Sequence, residues 1–222
     1  NLAFSKCINN FILMITPDVK ISNKMIVRVE KFVKSFQKLT VLAPVYRNQK
    51  TYKNLNLLSS TNNKIKVLGY NLFKVKEIDG CLFLLNKKKL KKTKILDENF
   101  FLYFETTDFC LNLIKKKHNL YVINEIKFEH LGTSSSDKKY KYYIDLNRNW
   151  HYAWSKFYFF KKNFSYLYAL RKIIPNIYQG LIGALLSILK LKFTETNLHF
   201  ASILGSINAI FLRKPYYRPK IK

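Results

Sequence analysis

The chain has 222 residues, 48% hydrophobic and 16% aromatic, which excludes a disordered polypeptide and suffices for one good core or two small ones. Forty Lys and Arg against 13 Asp and Glu give a net charge of +27, which demands an anionic partner: nucleic acid, an acidic membrane leaflet or a phosphorylated substrate. Three widely spaced cysteines, Cys7, Cys81 and Cys110, with no CxxC, exclude a disulfide framework and fit reduced thiols in a cytoplasmic compartment.

Residues 1–10, polar at Asn1, Ser5, Lys6, Asn9 and Asn10, read as a helix already under way, so the chain is expected to be truncated at its N-terminus. Phe11–Ile15 is an apolar run of strand length, stopped by Thr16-Pro17-Asp18 because proline has no ladder donor. Met25, Ile26, Val29, Phe32, Val33 and Phe36 follow helical spacing behind Ser22, a plausible N-cap. Leu39–Val45 predicts the next strand and 47–63 an irregular excursion. Between Lys64 and Asn86 two extended segments flank Glu77-Ile78-Asp79-Gly80, and the second, CLFLLN, is apolar enough to be covered on both faces. A lysine-rich turn, Lys87–Lys94, precedes the aromatic run 100–104. A helix is expected over Thr107–Lys117 and a strand over Leu120–Phe128, leading to His130 and the small residues Gly132-Thr133-Ser134.

Beyond Ser135 the composition shifts, with sixteen Lys and Arg against three acids in residues 136–222. Asn147–Lys162 predicts an aromatic-rich helix. Two uncharged runs of 17 residues, 173–189 and 196–212, fall short of the ~20 apolar residues that span a bilayer, and they contain Pro175, Asn176, Asn197 and His199. An in-plane or hairpin helix pair fits them better than two spans. His118 and His151 read as helix-end or surface residues. No Walker loop, zinc spacing or Ser-His-Asp order is present.

The chemistry concentrates between 97 and 136. Glu105 and Asp108 stand three apart at a helix start and share a face, and His130 ends the following strand. Asp18, projecting after a proline at a strand end, suits a divalent ion that also grips substrate phosphates. The bland alternatives are a turn Asp, capping carboxylates and a histidine bonded to its own loop.

The runs FFLYFETTDFC and FEHLG, in order after NLAFSKCINNFILMITPDV and GCLFLLNKKKL, resemble family 2 glycosyltransferases, in particular the rhamnosyltransferase-like branch that builds bacterial surface polysaccharides. The resemblance covers roughly residues 1–160. It implies an α/β, GT-A-like fold, a mixed sheet flanked by helices with the first strand–helix units upstream, in residues 1–135. Residues 136–222 would then be a basic aromatic helical tail on the cytoplasmic face of the inner membrane. It implies transfer, with inversion, of a sugar from a nucleotide-diphosphate donor to a saccharide or lipid-linked acceptor. Asp18 and His130 would hold Mn²⁺ or Mg²⁺, Glu105 or Asp108 would be the base, with Glu105 preferred, and Lys6, Asn9 and Arg148 would reach the donor. Asp79 and Gly80 would border the acceptor. The chain departs from the family pattern where Thr16 and Thr106 replace acids. Against this stand a basic nucleic-acid-binding module, for which no motif is visible, and a non-catalytic membrane-surface protein.

Overall fold

The computed structural model describes residues 1–36, 39–48, 51–53, 64–90, 95–131 and 137–220, without the side chains of 47, 48 and 51–53. The lysines at 91, 92 and 94, the loop Gly132-Thr133-Ser134 and most of the 47–63 excursion lie outside these. The described residues form two units: 1–96 with 109–135, and 97–108 with 136–222. The sequence reading assigns 97–108 to the first domain; the contacts assign them to the second.

The first unit is α/β. Among the described residues its strands are β1 (Phe11–Ile15), β2 (Val19–Lys20), β3 (Val41–Asn48), β4 (Thr51–Lys53), β5 (Lys64–Val67), β6 (Tyr70–Val75), β7 (Leu82–Asn86) and β8 (Leu120–His130). They form one open mixed sheet in the order β1-β7-β3-β8-β6-β5, with β2 added to β8 and β4 to β3. β3 and β8 run parallel and the other pairs antiparallel, so β1, β3 and β8 all end at the same edge.

Side-chain alternation builds a core on each face. Val41, Ala43, Phe83, Leu85, Leu120 and Val122 point to one side. Leu42, Leu82, Leu84, Tyr121 and Ile123 point to the other. Helix α1 (Leu2–Lys6) adds Phe4 to the first core, and α3 (Glu105–Lys115) adds Phe109, Cys110 and Leu113. Helix α2 (Asn23–Ser35) closes the second with Met25, Val29, Phe32 and Val33, and the Ser22 side chain accepts from the Met25 N–H as its N-cap.

Two local features depart from the sequence reading. The first extended segment, 64–76, is a hairpin, β5–β6, turning at Leu68 and Gly69 with φ of 53° and 81°. The other lies in β3, where Pro44 has no N–H to give: pairing with β8 jumps from Pro44–Ile123 to Val45–Lys127, leaving residues 124–126 as an excursion. Glu125 in that excursion accepts from the Asn71 N–H at 3.0 Å and from its side-chain amide.

The second unit is a three-helix bundle of α4 (Lys141–Asn163), α5 (Tyr166–Leu189) and α6 (Phe193–Ile210), cored by Trp150, Trp154, Phe157, Ala169, Ile173, Ala201 and Ala209. The aromatic run 100–104 packs along α4: Phe100 meets Tyr158 edge-on at 4.9 Å, Phe104 lies 5.4 Å from Phe159, and Ser155 Oγ donates to Leu102 O. His151, expected at a surface, is fully buried; a ring nitrogen lies 3.0 Å from Tyr217 O.

Candidate functional site

The carboxyl edge of the first unit's sheet collects its polar side chains. β1 ends at Ile15, and Thr16 is fastened to the neighbouring strand through its N–H to Cys81 O at 2.9 Å. The Thr16-Pro17-Asp18 turn then feeds β2, whose register puts Val19 opposite His130, and Leu131 N donates to Asp18 O. Two residues separated by 111 others in the chain are thereby joined: His130 Nε2 lies 3.1 Å from Asp18 Oδ2. Both side chains are mostly covered, at 18% and 13% exposure.

Thr16 Oγ1 donates to Asp18 Oδ1 at 2.8 Å, leaving Oδ2 for the histidine. Burial alone would raise the Asp18 carboxyl, but the Thr16 hydrogen bond and the facing His130 outweigh it and hold it below its ordinary value. Edge-on to the His130 ring, at 5.3 Å, stands Tyr46 near the end of β3. Its hydroxyl donates to Asp79 Oδ2 at 2.6 Å, and Asp79 Oδ1 accepts from Cys81 N at 3.2 Å. Burial and the Asp79 carboxylate push the Tyr46 hydroxyl well above the usual phenol range, so it remains a donor. Burial also raises the thiols of Cys81 and Cys110, the latter to about 12, and all three cysteines are free.

The 3.1 Å separation is close to the ~3 Å between two adjacent ligands each ~2.1 Å from one hard ion. Among the described residues no group of three or more His, Cys, Asp and Glu side chains could hold a metal. Asp18 and His130 supply one carboxylate oxygen and one imidazole nitrogen, donor types that Mg²⁺ and Mn²⁺ accept. His130 Nδ1 is buried with no hydrogen-bond partner among the described residues.

The other expected residues are spread more widely. Asp79 and Gly80 sit in the β6–β7 loop at the site, Asp79 exposed. Lys6 and Asn9 lie before the amino end of β1, about 20 Å of extended chain from Thr16, and the fold does not bring them to Asp18. Glu105, Asp108 and Arg148 belong to the second unit. Asp108, 2% exposed, is held by Lys162 Nζ at 2.6 Å and by the Asn163 amide at 2.7 Å. Glu105 keeps Oε2 buried and without a partner among the described residues, directly after Tyr103 and Phe104, both left-handed at φ 67° and 65°. Such strain at two aromatic residues costs on the order of 1–3 kcal/mol each and needs surrounding structure to hold it. Arg148 lies 3.9 Å from Asp145, one turn away on α4.

Tyr46 is not among the expected site residues, although a tyrosine at the end of a buried strand is a signal for a polar tip at a sheet edge. Thr16, in place of the acid the family pattern carries, orients Asp18. No family model matches the chain, and no curated protein matches it either.

Proposed function

We propose that the chain is an inverting glycosyltransferase of GT-A type, acting on a nucleotide-diphosphate sugar, with the carboxyl edge of β1, β3 and β8 as its diphosphate-binding side. The observation that carries this reading is the Asp18–His130 pair, drawn from distant parts of the chain to the edge where open α/β sheets take their ligands. In this reading Asp18 Oδ2 and His130 Nε2 hold Mn²⁺ or Mg²⁺. A divalent ion there supplies positive charge against the departing diphosphate.

The chain's own residues do the rest. Thr16 fixes the Asp18 carboxylate, and Tyr46 orders Asp79 on the exposed side of the edge, where an acceptor hydroxyl is the proposed occupant. That hydroxyl attacks the anomeric carbon, the bond from that carbon to the diphosphate oxygen breaks, and the hydroxyl proton passes to a carboxylate. The family resemblance implies Glu105 or Asp108 as that base, with Glu105 preferred; both belong to the second unit. Asp108 is the weaker candidate because both of its oxygens are engaged.

Calorimetry of nucleoside diphosphate binding to the full chain tests the reading. Mn²⁺ should tighten binding at least about tenfold, and Asp18→Asn and His130→Gln should each abolish that gain. Equal affinity with and without Mn²⁺, or a gain that survives Asp18→Asn, refutes it and favours a non-catalytic protein.

A further inference from the structure

Where α5 and α6 pack in the second unit, the distribution of small and large residues is the reverse of that in a bundle built for water. On α5 the buried positions are mostly small, Ala169, Gly180, Ala184 and Ser187 beside Ile173. Leu181, Ile182, Leu185, Leu186, Ile188 and Leu189 stand outward, 41–72% exposed. On α6 Ala201, Gly205, Ser206 and Ala209 are buried beside Ile203, while Phe200, Leu204 and Ile207 face out. The small residues permit near contact between helices: a Cβ on Gly205 would lie 2.2 Å from Trp150 O, and one on Gly183 would lie 2.3 Å from the His199 ring. Large residues inside is the rule in water. Small inside and large outside is the packing of helices whose surroundings are themselves apolar.

Charge says which apolar surroundings. The Tyr166 hydroxyl donates to Ile210 O, so the start of α5 and the end of α6 make one end of the hairpin. Arg171 and Lys172 lie one to two turns inside that end, and Arg213 and Lys214 lie just beyond it. A pocket there is lined by Trp154, Tyr158, Lys161, Arg213 and Lys214. The opposite end is the turn Lys190-Leu191-Lys192. Cations and tyrosines bracketing an uncharged stretch are the residues of a lipid headgroup zone. Helix α5 is long and apolar enough to cross a membrane. Yet α4, packed along α6, carries the Asp145–Arg148 pair on a stretch that begins where Tyr142 meets Asn197, so a crossing would drag charge into hydrocarbon.

We propose that the α5–α6 hairpin lies in the plane of an anionic bilayer, its outward leucines and isoleucines among the acyl chains and its lysines and arginines at lipid phosphates. The proposal goes beyond sugar transfer and does not depend on it.

Flotation of the full chain with phosphatidylcholine vesicles, with and without roughly a quarter phosphatidylglycerol, tests it at low salt and at about 1 M NaCl, where charge is screened beyond ~3 Å. The chain should float with the anionic vesicles and stay bound in high salt. Leu185→Ser with Leu189→Ser should cut high-salt retention at least about tenfold while the far-ultraviolet circular dichroism stays unchanged, since both side chains are exposed. Lys190→Gln with Lys192→Gln leaves the apolar face intact and should weaken low-salt capture by the anionic vesicles. Complete release at high salt overturns the proposal, as does retention untouched by the leucine changes. So does a stable dimer that ignores vesicles, because a second copy would then cover the face.

Discussion

Thr16 stands where the resembled family has an acid, yet its hydroxyl aims Asp18 at His130. A hydrogen bond to a charged group contributes about 1.5–3 kcal/mol, so Thr16→Val should weaken Mn²⁺-dependent nucleotide binding about ten- to a hundredfold, while Thr16→Ser restores most of it. Asp97, in the second unit, accepts from Lys162, Asn99 and Tyr158. Burial by itself raises its carboxyl, and these donors, Lys162 first, bring it down to about 2. Because the folded value is depressed, its contribution is present above the unfolded value near 4 and disappears as pH falls through about 2. That contribution is on the order of 1–2 kcal/mol, and urea midpoints between about pH 6 and pH 2 should show a loss that Asp97→Asn reduces. Lys162 also closes on Asp108, so Lys162→Met takes the cation from two carboxylates, one of them buried, while Asn163, Asn99 and Tyr158 still donate to them. It should cost about 1.5–3 kcal/mol, read from the same urea curves.

At the scale of elements, local pattern was a good guide wherever burial follows periodicity. Strand β1 over Phe11–Ile15, the Ser22 cap, the doubly covered β7 and a helix opening on Glu105 and Asp108 were all legible, because each is written in neighbouring residues. The β5–β6 hairpin was not, since Leu68 occupies a left-handed turn position that Asn or Gly usually holds. Leu68→Asn should therefore stabilise the chain by roughly 0.5–1 kcal/mol in thermal unfolding, Leu68 being exposed. Nor could local pattern reveal that β2 pairs with the end of β8, the pairing that joins Asp18 to His130. Pairing partners depend on the whole sheet, and two residues carry too little pattern to announce one. In the bundle, the packing of Gly205 on Trp150 leaves no room for a methyl group. Gly205→Ala should destabilise it by about 1–3 kcal/mol, measurable by circular dichroism melts.

At the scale of the molecule, the chain passes between its two units three times, and one passage lies within α3. A cut after residue 135, where composition changes, would strip the aromatic run 100–104 of its partners on α4 and leave Asp108 without Lys162. A 1–135 fragment should consequently bind a hydrophobic dye and aggregate, whereas the full chain should not. This is also where sequence reading fell short. Aromatic side chains at 100–104 announce burial but not against what, and only the assembled bundle shows that α4 is the surface they cover.

The break at Pro44 has a consequence for how this architecture can vary. Pairing resumes beyond the break with Val45 opposite Lys127, so the three intervening positions of β8 add length without displacing the remainder of the strand. Shortening that excursion should sacrifice the Glu125 clasp on Asn71 while leaving the histidine facing Val19. Chains of different length could thus keep the same reactive corner, which makes the excursion a natural place for insertions and deletions to accumulate.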